Sequence, residues 1–446
     1  MLFTVIFAMI LAALSTTWRF AALGPPGAAL TTFALTVLPA AVAVGMFFHF
    51  QRQRRDLSAD PQSYFFRMTA LAATFRRASR ITETLVAASY AAALFSGWSA
   101  IPEAAGLSRW ALPTGAVLFV PFLISLVAVW VILHYAESAI GADSPTLAQR
   151  LSFKVRHNVL TVTVPVALIL SLYDIFELLP SAVKDPLALP WVSGPLTLLL
   201  VLTGYTVAPM LLVRVWKTSQ MAAGPTRSRL DDLCGRIGVG YRDIRIWETP
   251  GHFFANAAVM GIAAKVRYII VSRSLLETMS PEQVEAIFAH ELGHAKRHHM
   301  IYYLLLAGDF MMLAVIFEMI SGAPIEAQIS YIAVWIVFFA LYWGAGFGYV
   351  SRAFERDADL FGAESAVDFG TFARALERIA HINAVSPHTR SWRHGSIASR
   401  IAFLEKAEHS DEVRQRFRWR LAFIKTFLIS LAAVALATIA AMHALG

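Results

Sequence analysis

The chain has 446 residues, of which 57% are hydrophobic and 15% charged, and its mean hydropathy is +0.58. Soluble domains carry about a quarter charged residues, so this composition indicates an integral membrane protein. The single cysteine, Cys234, excludes an intrachain disulfide and a cysteine-rich metal site. The net charge is +8, and the positions of the basic residues decide what that charge means.

Nine apolar stretches are long enough to cross a bilayer as a helix, which takes about 17 to 25 residues. They predict a mainly α, polytopic transmembrane protein. Only Arg19, Arg109 and Lys184 of the 38 lysines and arginines fall in one set of alternate loops. The positive-inside rule therefore places the N-terminus and the alternate loops that carry most of the basic residues in the cytoplasm. The positive charge thus reflects membrane topology, so the expected partner is the lipid bilayer and not nucleic acid. The nine stretches are residues 1–17, 26–48, 82–100, 111–134, 158–176, 190–213, 301–321, 328–350 and 421–444.

The first long polar segment contains two predicted strands, "DIRIW" at 243–247 and "RYIIVS" at 267–272, because both are rich in Ile and Val. A helix is predicted to begin after Ser280. This serine is a good N-cap, Pro281 suits the first helical position, and Gln283 completes an S-x-x-Q capping box.

That helix carries the stretch "AHELGHAKRHH". His290 and His294 are one turn apart on one helical face, so the two imidazoles can bind one zinc ion. Glu291 lies beside them, where its carboxylate can reach a zinc-bound water and act as a general base. His298 and His299 are predicted to face lipid headgroups, because a four-coordinate zinc site needs no further histidine.

A third ligand is predicted in the second polar segment, which opens with "SRAFERDADLFG" at 351–362. Glu355 and Asp359 form another pair on one helical face, just inside the membrane as the first pair is. Catalytic zinc takes three protein ligands, and two histidines with a glutamate are a known set, so Glu355 completes it. Asp359 suits an acceptor that holds a ligand imidazole in the correct tautomer. The alternative is a solvated helix face balanced by Arg352 and Arg356.

Together these motifs resemble the membrane-embedded zinc metalloproteases that include the type I CAAX prenyl endopeptidases and the bacterial heat-shock membrane proteases. The resemblance covers about residues 225–405 and includes "NAAVMG" at 256–261 and "HGSIASRIAFL" at 394–404. It implies an edge strand in which Asn256 and Ala257 pair with the substrate backbone. It also implies Zn²⁺ as the cofactor, bound by the two histidines and the glutamate of the motifs above.

The family pattern has a histidine followed by proline, and an arginine six residues after that histidine. His394 and Arg400 keep this spacing, but Gly395 replaces the proline. The resemblance implies that His394 helps to stabilise the transition state and that Arg400 contacts substrate. If so, a proline at position 395 is expected to be tolerated. The alternative makes His394 a loop residue whose neighbour His388 or Arg400 does this work.

These assignments predict a small cytoplasmic α+β, zincin-like catalytic unit carried by transmembrane helices. The expected activity is that of a zinc-dependent endopeptidase, in which Glu291 deprotonates a zinc-activated water to cut a peptide or membrane-protein substrate. The predicted segments are N-terminal transmembrane helices at 1–213, a first catalytic segment at 214–300, a transmembrane hairpin at 301–350, a second catalytic segment at 351–420 and a C-terminal span at 421–446.

Two other classes stay open. A transporter or scaffold with a structural zinc site would lack an adjacent general base, whereas Glu291 is present here. A protease homologue that kept the zinc ligands but lost activity could be distinguished from an active protease only by an activity assay. The excess of Arg over Lys and the absence of an N-x-S/T sequon favour a bacterial inner membrane, where protein quality control is the expected role. Prenylated peptides, misfolded membrane proteins and a dedicated target are all compatible with the sequence.

Overall fold

The computed structural model describes residues 2–16, 24–57, 64–138, 145–188, 190–248, 255–321, 334–335, 337–366, 368–383 and 385–445. Within these residues the chain is mainly helical and contains one four-stranded sheet. The predicted mainly α membrane fold is thereby confirmed. The chain forms two compact units, Met1–Ala208 and Pro209–Gly446.

The first unit is a bundle of apolar helices. Its helices are α1 (Leu2–Ser15), α2 (Pro25–Leu57), α3 (Tyr64–Phe95), α4 (Ile101–Ala104), α5 (Ala111–Ser138), α6 (Leu147–Lys154), α7 (Thr161–Glu177), α8 (Ser181–Ala188) and α9 (Pro190–Val215), of which the last continues into the second unit. A π-helical turn, Val155–Leu160, joins α6 to α7. Helix α5 supplies the centre of the core, where Phe122, Leu126 and Trp130 are buried.

The described helices include five that are long and apolar enough to cross a membrane. A sixth candidate is a pair of helices bent by 60°, Thr74–Phe95 with Trp98–Ala104. The predicted stretches at 1–17 and 190–213 contain shorter apolar helices, and the stretch at 328–350 lies partly outside the described residues. Among the described residues, five or six of the nine predicted spans are therefore long enough. The five helices are Pro25–Arg55, Ala111–Ser138, Leu147–Glu177, His299–Phe317 and Asp411–Met442.

The second unit carries the sheet. Its strands are β1 (Thr218–Gln220), β2 (Asp243–Trp247), β3 (Ala257–Met260) and β4 (Tyr268–Ser272). Its helices are α10 (Pro225–Ile237), α11 (Arg273–Thr278), α12 (Pro281–Lys296), α13 (His299–Ser321), α14 (Gly348–Ser365), α15 (Phe369–Ile382), α16 (Ile397–His409) and α17 (Asp411–Leu445), with a π-helical turn, Ala340–Phe347, before α14. The bounds of β2 equal those predicted, and β4 begins one residue after its predicted start.

The sheet has the strand order β1-β2-β4-β3, which makes β3 an edge strand. β2 and β4 are parallel, and the other pairs are antiparallel. The amide of Ser272 donates to the carbonyl of Asn256 at 2.8 Å. The N–H and C=O groups of successive residues in a strand point alternately to one side and the other. Because Asn256 points towards β4, Ala257 and Val259 turn their N–H and C=O groups to the open edge.

Helix α12 begins with the predicted capping box. The Ser280 hydroxyl accepts from the Gln283 amide at 3.3 Å, and the Gln283 side chain accepts from the Ser280 amide at 3.2 Å. Further along, α12 packs closely on α14. A Cβ at Gly293 would lie 3.1 Å from the Cα of Ala358, so the glycine permits this close approach. The two motif helices are thus held face to face.

Candidate functional site

Helices α12 and α14 bring three side chains into one buried cluster. His290 and His294 lie one turn apart on α12, and Glu355 faces them from α14. The Nε2 atoms of the two histidines are 3.2 Å apart. The carboxylate oxygens of Glu355 lie 3.6 Å from each of these nitrogens. The structure therefore brings together the three residues predicted to bind metal.

These separations fit a tetrahedral zinc site. With zinc–ligand bonds of about 2.0–2.2 Å, neighbouring ligand atoms of a tetrahedron lie roughly 3.3–3.6 Å apart. Two imidazole nitrogens and one carboxylate are a zinc-binding set that leaves a fourth position for water or substrate. In the part of the chain that the structure describes, these residues form the one group of three or more His, Cys, Asp or Glu able to hold a metal ion.

The surroundings of Glu355 and His294 favour the protonation states that metal binding requires, whereas for His290 burial alone would lower the pKa but the Asp359 carboxylate raises it. Burial alone would raise the pKa of Glu355, but the hydrogen bond from His394 and the charge of Arg400 hold that pKa well below its usual value. Burial lowers the pKa of His294 well below its usual value. The carboxylate is therefore ionised and the imidazole neutral, as metal ligands must be.

Asp359 and Arg400 lie next to this cluster. The Oδ1 atom of Asp359 lies 2.9 Å from Nδ1 of His290, although the N–H is not aligned for a straight hydrogen bond. Arg400 of α16 donates from Nε to Asp359 Oδ2 at 2.7 Å. Burial alone would raise the pKa of Asp359, but Arg400 lowers it. Asp359 thus lies where a carboxylate that orients His290 must lie.

Arg400 itself is enclosed. Its side chain is 11% exposed, and Nη1 lies 3.5 Å from Glu355 Oε2 in addition to the contact with Asp359. The geometry therefore gives Arg400 a positioning role between two carboxylates. The substrate contact assigned to it from the sequence stays a prediction.

Glu291 connects α12 to the edge strand. Its Oε2 accepts from the amide of Val259 at 3.1 Å. Burial is the largest contribution that raises the pKa of Glu291, to about 7, which is the range that suits a general base near neutral pH.

The two residues predicted to pair with substrate differ in their backbone directions. Asn256 turns its carbonyl to Ser272, and its side chain is exposed. Ala257 turns its main-chain N–H and C=O groups to the open edge, as Val259 does. Of the predicted pair, Ala257 therefore has the backbone available to an extended peptide, and the role of Asn256 stays a prediction.

His394 reaches the cluster from a tight turn. Its Nδ1 lies 2.8 Å from Glu355 Oε1, and its side chain is 48% exposed. The turn is closed by the amides of Ser391 and Gly395, each of which donates to the other's carbonyl at 2.9 Å. Arg352 fixes the turn to α14 by donating to the carbonyl of Trp392 at 2.8 Å. The structure therefore brings His394 to the metal ligands, and its action in the transition state stays a prediction.

The expected tolerance of proline at position 395 is wrong. Gly395 has a φ of +73°, whereas the proline ring holds φ near −65° and removes the amide proton. That proton makes one of the two hydrogen bonds that close the turn. Glycine adopts this left-handed conformation without steric cost, whereas proline cannot adopt it.

His299 corrects a second expectation. His298 is exposed, and its predicted contact with headgroups stays a prediction, but His299 is fully buried and does not face headgroups. Its Nδ1 lies 2.9 Å from Nδ1 of His294, and its Nε2 lies 3.0 Å from Oδ2 of Asp357. The left-handed conformation of His298, with φ +58°, ends α12 and lets α13 begin in a new direction. No periodicity in the sequence signals that turn.

A known family matches this chain in the segment that holds the cluster, and known proteins match parts of the chain. Residues 230–408 match the sequence profile described as "Peptidase family M48". The "Protease HtpX" of Xylella fastidiosa (strain M12) is 28% identical over 94 residues, which are 21% of this chain and 32% of that protein. The "Protease HtpX" of Xanthomonas axonopodis pv. citri (strain 306) is 28% identical over 156 residues, or 32% of this chain and 52% of that protein. The matched stretches thus span about a third to a half of these relatives.

A solved structure also resembles this one. The crystal structure of S. mikatae Ste24p superposes with a TM-score of 0.54 and 14% sequence identity, covering 83% of this chain and 99% of that chain. At this identity the likeness concerns the fold alone. The family matches and this shared fold confirm the resemblance to the membrane metallopeptidases that the motifs indicate.

Proposed function

Because residues 230–408 match peptidase family M48, we propose that this integral membrane protein is an endopeptidase that uses a zinc ion held by His290, His294 and Glu355. A bound zinc ion is a Lewis acid that polarises a carbonyl and lowers the pKa of water. The observation that carries the proposal is the position of Glu291: it follows one ligand directly in α12, and its carboxylate contacts the edge strand through the Val259 amide. A structural metal site has no use for such a base.

The peptide is proposed to bind as an additional strand along β3. The main-chain groups of Ala257 and the carbonyl of Val259 would pair with it and hold it extended. Glu291 would take the proton of the attacking water on its carboxylate and pass it to the leaving amine, so no covalent enzyme intermediate forms. His394 would donate to the oxyanion that develops on the carbonyl oxygen.

The isosteric variant Glu291→Gln tests this mechanism. It should retain zinc and lower the rate of cleavage by about 10²- to 10⁴-fold, the usual contribution of a general base. The measurement is cleavage of an unstructured fluorescent peptide library by full-length protein in detergent, with metal content determined on the same sample. Glu282→Gln is the matched control, because Glu282 lies on the same helix and pairs with Arg229 at the surface.

Two outcomes would contradict the proposal. Full activity in Glu291→Gln would remove Glu291 as the base. Zinc-loaded wild-type protein that cleaves no member of the library would favour a structural zinc site or an inactive homologue.

We also infer that the site faces the cytoplasm, most consistently in a bacterial inner membrane. The support is the distribution of lysine and arginine among the loops. A reporter fused after Gly446 should indicate the non-cytoplasmic side, and one inserted in segment 214–250 should indicate the cytoplasm. Reports from the same side would show that the assigned membrane crossings between the two insertion points are wrong.

A further inference from the structure

The second histidine ligand is in contact with a buried pair of side chains outside the metal cluster. His299 is fully buried, and its ring lies parallel to that of Phe354, with the ring centroids 4.2 Å apart and an interplanar angle of 2°. One ring nitrogen of His299 faces His294 at 2.9 Å, and the other faces Asp357 at 3.0 Å. These contacts fix both the ring plane and the position of the His299 imidazole.

The proposed binding of metal by His294 determines which ring nitrogen of each histidine carries the proton. His294 turns Nε2 to the other ligands, so Nε2 has to be unprotonated for metal binding and Nδ1 carries the proton. His294 Nδ1–H then donates to Nδ1 of His299. The proton of His299 is consequently on Nε2, which donates to the Asp357 carboxylate. Each N–H donor in the series His294, His299 and Asp357 therefore faces an acceptor.

Asp357 lies between two basic side chains. Its side chain is 6% exposed, with Arg297 Nε at 3.8 Å from Oδ1 and Lys425 Nζ at 3.9 Å from Oδ2. Lys425 comes from α17 and also donates to the Arg297 carbonyl at 3.3 Å. A desolvated carboxylate with these partners is a strong acceptor for His299.

We propose that His299 and Asp357 are positioning residues that fix the tautomer and orientation of His294, as Asp359 does for His290. The inference rests on the proposed function, since it takes His294 as a zinc ligand. It gives the two histidines different supports: a carboxylate in direct contact for the first, and an imidazole backed by a carboxylate for the second. Partners of this kind typically raise metal affinity by about 10- to 100-fold.

The test is the zinc affinity of full-length protein in detergent, measured by competition with a chromophoric chelator in the absence of substrate. His299→Phe keeps a ring that can stack on Phe354 but removes both nitrogens. We expect zinc affinity to fall by about 10- to 100-fold. His298→Asn is the matched control, because His298 is exposed and asparagine accepts its left-handed backbone. It should bind zinc as the wild type does.

A pair of variants at Asp357 separates positioning from packing. Asp357→Asn keeps an oxygen that accepts from His299 and should retain most of the zinc affinity. Asp357→Ala removes the acceptor and should lose affinity by about as much as His299→Phe. Melting temperatures of the metal-free proteins show whether each variant is folded.

The outcomes distinguish this inference from the proposed function. Unchanged zinc affinity in a folded His299→Phe protein would overturn the positioning role of His299 and Asp357 alone, and so would unchanged zinc affinity in a folded Asp357→Ala protein. Wild-type protein that binds no zinc would overturn both. Wild-type protein that binds zinc without cleaving peptides would contradict only the proposed function.

Discussion

Glu355→Ala is expected to yield protein that purifies without zinc and does not cleave peptides. Two imidazoles alone would remain, and the Arg400 guanidinium, which lies 3.5 Å from Glu355, would repel a cation once the carboxylate is gone. Loss of a supporting residue costs about 10- to 100-fold in metal affinity, so loss of a ligand should cost more than roughly 100-fold. Zinc content by atomic absorption measures the effect.

Glu364→Ala provides the comparison for this experiment. Glu364 lies on the same helix, is partly exposed, and pairs with Arg418 at 3.2 Å, away from the cluster. It should keep zinc and activity within about threefold of wild type, since surface ion pairs contribute little. Stoichiometric zinc in Glu355→Ala would mean that the metal is held elsewhere.

Gly395→Pro is expected to lower the rate of cleavage by about 10²- to 10³-fold, the effect of losing one oxyanion donor, while zinc content stays unchanged. The turn that presents His394 cannot form with φ near −65° at this position, and the hydrogen bond that the Gly395 amide donates to the Ser391 carbonyl is lost. His394→Ala should give the same reduction in kcat with little change in KM.

Gly395→Asn is the control at the same position, because asparagine adopts left-handed φ more readily than other non-glycine residues. It should keep most of the activity. A Gly395→Pro protein as active as the wild type would show that this turn is not needed to present His394, whereas an unchanged kcat in His394→Ala would withdraw His394 from the site.

The parts of the structure that sequence predicted well are those set by local chemistry. β2 is bounded as its run of β-branched residues predicts, and α12 starts at the serine whose capping box was visible in the sequence. The spacing of His290 and His294, and of Glu355 and Asp359, fixes helical faces without knowledge of the fold. Only the pairing of the two helices required tertiary structure.

The parts that sequence did not predict depend on contacts between distant segments or on backbone conformation. Arg400 and Asp359 are 41 residues apart, and His299 and Asp357 are 58 apart. The burial of His299 follows from a left-handed residue between two helices, and the fate of a proline at position 395 follows from another. Neither conformation has a periodic signal in the sequence.

Helix α17 is longer than a membrane crossing requires. Its 35 residues make a rod of roughly 52 Å at about 1.5 Å per residue, whereas the hydrocarbon core is about 30 Å thick, so some 20 Å project beyond it. Lys425 lies about one turn into the apolar part of that rod, and its Nζ is 3.9 Å from Oδ2 of Asp357. If the proposed peptidase cuts membrane-bound substrates, the distance between a substrate's own span and its scissile bond is therefore expected to influence where it is cut.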